Sequence, residues 1–223
     1  MQFTGNLHQL LSERQLAILV NENNYNGSFE FKQGSNVEVT EFVTTPDTAS
    51  VGMYVTNIDT VICAADKYMC KFAYVKIPDD ARICVCEQNG VEWYRVDKCI
   101  VTSDFHHVQS YYKFTDYNFC KEAVRKNPKV MTFIENKTEE LYQIAIESDD
   151  GAIMDIPVEH RTFAICMQVV KKNCLQVSML KSKAMSPKQY LEVWFEAAKG
   201  NCNVIDWAPY DWRPILWRRY NEL

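Results

Sequence analysis

The chain has 223 residues, 47% of them hydrophobic and 24% charged, so it can bury a core and is long enough for two modest domains. Its formal net charge of -5 provides no excess of the basic residues that non-specific nucleic-acid binding needs to replace phosphate counterions, so nucleic acid is not an expected partner, a local basic patch being the open alternative. With only 7 Gly and 7 Pro, a long flexible linker is not expected either.

No run is apolar for long enough to span a bilayer. The start, MQFTGNLHQLLSERQ, lacks the apolar stretch and cleavage site of a signal peptide. The expectation is therefore a cytoplasmic protein without membrane contact. Its 9 cysteines are scattered and read as small hydrophobic fillers in a reducing compartment.

Taken in chain order, Leu10, Leu11, Leu16, Ile18 and Leu19 predict one short helix within Leu7 to Asn21, with Ser12 capping a turn. Phe29 and Phe31, then Val37 and Val39, alternate with polar residues around Gly34 and predict short strands. Thr44 to Thr48 reads as a loop. Val51 to Val55 predicts a strand, and Asn57 caps a helix with Ile58, Val61, Ile62 and Ala65 on one face. Phe72 to Ile77 is a strand ended by the turn Pro78-Asp79-Asp80. Ala81 to Glu87 follows, with Ile83 and Val85 on one side and Cys84 and Cys86 on the other. Asn89-Gly90 is a strong hairpin signal, leading to a return strand from Val91 to Val101. Residues 22–102 thus form the core of an α+β domain spanning 1–103, dominated by antiparallel strands.

The pattern becomes helical from Tyr117, in a second part spanning 104–223. Four segments align: Ala123 to Pro128, Ala145 to Asp150, Val169 to Cys174 and Ala197 to Cys202. Each places two apolar residues before a polar step and a second apolar cluster after it, at Val130-Met131, Ala152-Ile153, Val177 and Val204-Ile205. Roughly two dozen residues separate successive copies, the period of helical repeats and solenoids. An ordinary helical bundle is the competing reading. The C-terminal stretch carries Trp207, Trp212, Trp217, Arg218, Arg219 and Tyr220. These are a candidate interface, because Trp, Tyr and Arg are over-represented at binding hot spots. The same density of aromatics can instead seal the last repeat, and that reading expects at least two of the three Trp to be packed.

Motifs that carry chemistry are mostly missing. Cys84-Val85-Cys86 does not have zinc-ligand spacing. There is no nucleophile elbow, Walker loop or dinucleotide fingerprint. Asp79-Asp80 and Asp149-Asp150 sit where Asp belongs for backbone hydrogen bonding. No metal and no cofactor is expected.

Gly52-Met53-Tyr54-Val55-Thr56, Val75-Lys76-Ile77-Pro78-Asp79-Asp80-Ala81-Arg82 and Tyr94-Arg95-Val96-Asp97-Lys98 resemble an uncharacterised family of mimivirus-like giant DNA viruses. Tyr25-Asn26-Gly27, and Phe31-Lys32 through Gly34 to Asn36, fit the same resemblance, which covers residues 22–102. The second half resembles a helical repeat of unknown function abundant in the same viruses. The resemblance implies a viral protein in an infected host cell and brings no activity with it. The Tyr54-Val55-Thr56 strand before a helix also resembles the ADP-ribosyltransferase-like fold. That resemblance implies a nicotinamide-cofactor pocket lined by Tyr25, Phe31, Tyr54 and Thr56, with Glu87 or Glu92 as catalytic carboxylate. The family's early His or Arg is replaced by Tyr25, and neither glutamate stands in a Glu-x-Glu pair.

Two functions are thus expected from the sequence. The first is a non-enzymatic module whose helical repeats bind a host or viral protein. The alternative is an enzyme or degenerate nucleotide-binding relative in the N-terminal domain. Convergence of Tyr25, Phe31, Tyr54 and a carboxylate on one pocket favours the enzyme, and a filled core at those positions favours the binder.

Overall fold

The computed structural model describes residues 7–37, 52–88 and 91–223. The chain divides into two compact units, residues 1–116 and 117–223, giving the mixed α+β content expected. Among the described residues no helix is long and apolar enough to cross a membrane.

The first unit is built on an antiparallel sheet. In chain order it contains α1 (Leu7–Ser12), β1 (Leu16–Val20), β2 (Tyr25–Asn26), β3 (Phe29–Glu30), β4 (Gly34–Val37), β5 (Met53–Asn57), α2 (Ile58–Cys63), β6 (Lys71–Lys76), β7 (Ile83–Gln88), β8 (Val91–Val96), β9 (Lys98–Val101) and β10 (His106–His107). The strand order is β4-β9-β6-β1-β5-β8-β7, with β10 added on β6, while β2 and β3 form a separate hairpin. All the registers recorded are antiparallel.

The single helix expected within Leu7 to Asn21 is corrected to a helix that stops at Ser12 and a strand that starts at Leu16. Leu16 to Val20 is buried at all five positions between β5 and β6. A strand covered on both faces is apolar throughout, so it shows no alternation to separate it from a buried helix. One face of the sheet carries Leu16, Ile18, Met53, Val55, Val75 and Val96, with Leu11 of α1 packed on it. Side chains of the other parity face the opposite way. There the Tyr111 ring meets the Phe72 ring edge-on at 5.9 Å. The Tyr111 hydroxyl donates to Asp59 Oδ1 at 2.7 Å, and Lys113 Nζ reaches both Asp59 oxygens at 3.0 and 2.7 Å. Helix α2, capped by Asn57 as expected, therefore shares this face with the segment after β9. The boundary expected at 103/104 moves to 116/117, because residues 104–116 are held to the sheet.

The expected return strand from Val91 to Val101 is corrected as well. It breaks at Asp97 into β8, which pairs with β5 and β7, and β9, which pairs with β4 and β6. The Asp97 carboxylate accepts from the Arg82 backbone N–H and from Arg82 Nε, both at 2.8 Å. The Asn89-Gly90 turn lies outside the described residues, and the strands flanking it pair Gln88 with Val91. Val39 and the loop at 44–48 also lie outside them.

Burial pushes the Asp97 carboxyl up, but the bonds from Arg82 outweigh it and hold the group below the usual carboxylate range. A carboxyl depressed by folding stabilises the protein above its unfolded value of 3.8. That contribution is lost as pH falls through the lower folded value. Asp97→Asn is therefore expected to be less stable than the wild type at about pH 7 and to lose less stability on acidification below about pH 4. Thermal melts at both pH values check this, and an identical pH response in the two proteins would remove Asp97 from the account.

The second unit contains α3 (Tyr117–Lys126), α4 (Glu139–Ser148), α5 (Phe163–Lys172), α6 (Pro187–Gly200) and α7 (Arg213–Asn221). Each of the first four is followed, after a single residue, by a six-residue 3-10 helix: Pro128–Phe133, Asp150–Asp155, Cys174–Met179 and Cys202–Trp207. The single residues are Asn127, Asp149, Asn173 and Asn201, all in extended backbone. Each donates its N–H to the carbonyl four residues back, at 2.8–3.1 Å, which closes the α-helix. Each side chain accepts the N–H two residues on, which opens the 3-10 helix. One short acceptor side chain thus serves two helix ends, which explains why Asn or Asp recurs there.

Neighbouring helices are tied at the residue just before the second and third junctions. Ser148 Oγ donates to Arg125 O of α3 at 3.1 Å. Lys172 Nζ donates to Ile146 O and Glu147 O of α4 at 3.1 and 2.7 Å. At the equivalent position on α6, a Cβ added to Gly200 would stand 3.1 Å from Cys174 Cβ and 3.2 Å from its Sγ, so a larger residue there would need Cys174 to give by a few tenths of an ångström.

Candidate functional site

The candidate pocket residues do not converge. Phe31 is buried in the core on the Met53 and Val55 face of the sheet. Tyr54 and Thr56 have the opposite parity on β5 and point to the other face. Tyr54 is half-buried opposite Arg95, and Thr56 Oγ1 donates to Glu92 O at 2.8 Å. Tyr25 is half-buried in the separate β2–β3 hairpin, opposite Glu30. Glu87 and Glu92 lie opposite one another across β7 and β8. They share the side of Tyr94, whose ring belongs to the same core face as Phe31.

The Glu92 carboxylate is occupied by an ion pair with Arg14 at 3.2 Å and by the Tyr94 hydroxyl. Burial and the bond to Glu92 push the Tyr94 hydroxyl up to about 12. The Tyr94 hydroxyl therefore holds its proton firmly, and the cluster ties the turn after α1 to β8. The expected single pocket is corrected to residues split between two sheet faces, because strand alternation separates Phe31 from Tyr54. Among the described residues no three His, Cys, Asp or Glu side chains gather as metal ligands.

The C-terminal residues divide as well. Trp207 is 51% exposed and Trp217 36% exposed, while Trp212 is half-buried and meets the Tyr190 ring edge-on at 5.7 Å. Against the expectation that at least two of the three Trp pack on the third and fourth repeats, Trp207 and Trp217 are exposed, and Trp212 alone shows a ring contact with α6. The seal is made by other side chains. Leu216 is fully buried. Arg219 forms a two-pronged bond with Glu192 at 2.8 and 2.9 Å and lies 3.9 Å over the Phe195 ring. The Arg219 bond holds the Glu192 carboxyl below its usual range. Arg218 is exposed, and Tyr220 packs edge-on against Trp217 at 6.0 Å.

Two features of the second unit escaped the sequence. The first is a carbonyl at the end of each 3-10 helix that accepts from a side chain. Lys137 Nζ donates to Ile134 O at 2.6 Å, Arg161 Nε to Ile156 O at 2.8 Å and Arg213 Nε to Ala208 O at 2.9 Å. The Tyr190 hydroxyl donates to Leu180 O. Two donors are arginines five residues on, one is a lysine three residues on and one a tyrosine ten residues on, so no single motif marks all four. The second is a set of exposed apolar side chains on the 3-10 helices: Met154, Leu175, Met179 and Trp207, each about half exposed. The three 3-10 helices that carry them read DGAIMD, CLQVSM and CNVIDW, with three Asp and no Lys or Arg.

No protein-family model, no characterised protein and no solved structure matches this chain.

Proposed function

We propose that the chain is a non-enzymatic interaction module of a giant DNA virus. In this reading residues 117–207 are four copies of a helical repeat, stacked as a short solenoid, that bind a host or viral protein in the cytoplasm of the infected cell. The observation that carries the reading is the fourfold recurrence of one design: an α-helix, a single Asn or Asp that closes it, a 3-10 helix, and a final carbonyl held by a side chain. Such arrays expose an extended surface set by repetition, a geometry suited to macromolecules more than to small substrates. The enzyme alternative has no comparable support, since Phe31 lies on one face of the sheet, Tyr54 and Thr56 on the other, and Tyr25 in a separate hairpin.

Affinity purification of the full chain from infected cells, followed by binding of the purified chain to each recovered protein, tests the reading. A direct complex that is lost on substitutions in residues 117–223 is the expected result. Saturable binding of NAD to the full chain, abolished by Tyr54→Ala, would replace this reading with the enzyme.

A further inference from the structure

The Cys84-Val85-Cys86 motif lacks zinc-ligand spacing, but the fold sets its two sulfurs together in a place of their own. Side chains two residues apart on a strand share a face. On β7, Ile83 and Val85 therefore turn to the main core, while Cys84 and Cys86 turn away from it. There they pack with Trp93 as a separate cluster. The register sets Arg95 opposite Cys84 and Trp93 opposite Cys86. Cys84, Cys86 and Arg95 are all buried.

The two thiols lean toward one another along the strand. Cys84 Sγ reaches forward to within 4.0 Å of Val85 O, and Cys86 Sγ reaches back to within 3.8 Å of Cys84 O. Burial and the adjacent Cys84 thiol push the Cys86 thiol up, while the Arg95 guanidinium draws it down. A second sulfur pair, Cys99 Sγ and Met53 Sδ at 3.7 Å, differs in setting, because it lies within the main core. There burial alone pushes the thiol up to about 12.

We propose that Cys84 and Cys86 form a two-coordinate site for copper(I). Thiolate ligands select this soft monovalent ion. Zinc needs four ligands, and among the described residues no three His, Cys, Asp or Glu side chains gather. Copper(I) bridges two thiolates in line and needs no third ligand. On binding, each thiol releases its proton to water and each sulfur bonds the ion, and no group is oxidised or reduced. The neutral dithiol becomes a singly negative unit, and a buried charge requires a counter-charge beside it. Arg95 stands there, across the strand pair from Cys84. A disulfide fits this geometry less well. Alternate residues of a strand stand about 6.4–6.8 Å apart, at the upper end of the Cα separation that a disulfide spans. Closing one would contract β7, whereas an ion placed between the sulfurs leaves the strand extended.

The reduced full chain is titrated with copper(I) against bicinchoninate, a chromophoric copper(I) chelator. The expected result is one ion per chain held against the chelator, with a copper-edge absorption spectrum that shows two sulfur neighbours. Cys84→Ala and Cys86→Ala, each checked for a cooperative melt, should each weaken binding by roughly a hundredfold or more, beyond what loss of a supporting residue costs. Cys174→Ala with Cys202→Ala, which removes the half-buried cysteines of the second unit, should leave binding unchanged. Copper(I) lost in the Cys174/Cys202 variant, or kept by both single variants, would overturn the inference. So would a third sulfur or a nitrogen neighbour in the wild-type spectrum, a readout that stands even where a single variant fails to fold. A wild-type chain that yields all its copper(I) to the chelator would overturn it outright.

Discussion

Deleting residues 209–223 is expected to lower the unfolding temperature of the helical unit by roughly 10 °C or more. Helix α7 contributes Leu216, which is fully buried, and burial of such a side chain is worth about 1.5–3 kcal/mol. The Arg219–Glu192 pair is more exposed, with side chains 29% and 39% accessible, so solvent screening holds its share to roughly 0.5–1 kcal/mol. The Arg219 guanidinium also covers Phe195, which the truncation would expose. A loss of about 3 kcal/mol in a unit this size moves the midpoint by roughly 12 °C or more. Scanning calorimetry of the full chain and the truncated chain measures it. Leu216→Ala should account for most of the change and Trp217→Ala for little. A truncated protein that melts like the full one would show that α7 is no cap. Its aromatic residues would then be read as a binding patch only.

Arg161→Met is the second substitution with a large expected effect, about 2–4 kcal/mol of destabilisation. Arg161 is buried, and Nε donates to Ile156 O at 2.8 Å while a terminal nitrogen donates to Lys181 O at 3.2 Å. Methionine preserves most of the stem's packing but supplies no donor. Two carbonyls lose a partner, at about 1–3 kcal/mol for each one left buried. Lys137→Met removes the equivalent donor from Ile134 O at an exposed position, where water replaces it, and should cost under about 1 kcal/mol. Denaturant midpoints of the two variants decide the point. Equal losses would mean that burial is not what makes Arg161 matter.

These two substitutions mark where the sequence stops being legible. The α-helices of the second unit and their polar junctions are readable because apolar pairs and an Asn or Asp recur in fixed register. The donors Arg161, Lys137, Tyr190 and Arg213 are not, since only the two arginines share an offset, five residues, while the lysine reaches three and the tyrosine ten. In the first unit, the hairpin of β7 and β8 follows from alternation and its Asn-Gly turn. Strand β1 does not, because a strand apolar on both faces carries no period. The break at Asp97 is marked in the sequence only by a shift of parity, from Tyr94 and Val96 to Cys99 and Val101, and the Asp97 carboxylate is bonded there to Arg82, fifteen residues earlier. The candidate pocket failed at the level of parity: residues near one another in a motif, such as Tyr54 and Val55, belong to opposite faces of a sheet. Met154, Met179 and Trp207 look like core residues by type, and only the structure shows each about half exposed.

The single-residue junctions at Asn127, Asp149, Asn173 and Asn201 leave no slack between an α-helix and its 3-10 helix. An extra residue there would turn the second helix by about 100° about its axis and aim its buried edge at solvent. Growth and loss of sequence are therefore confined to the connections that follow each 3-10 helix, where residues 134–138 are already two fewer than residues 156–162 or 180–186. Those connections are where lineages of this protein can diverge in length, and where a tag or fusion can be spliced in without disturbing the stack.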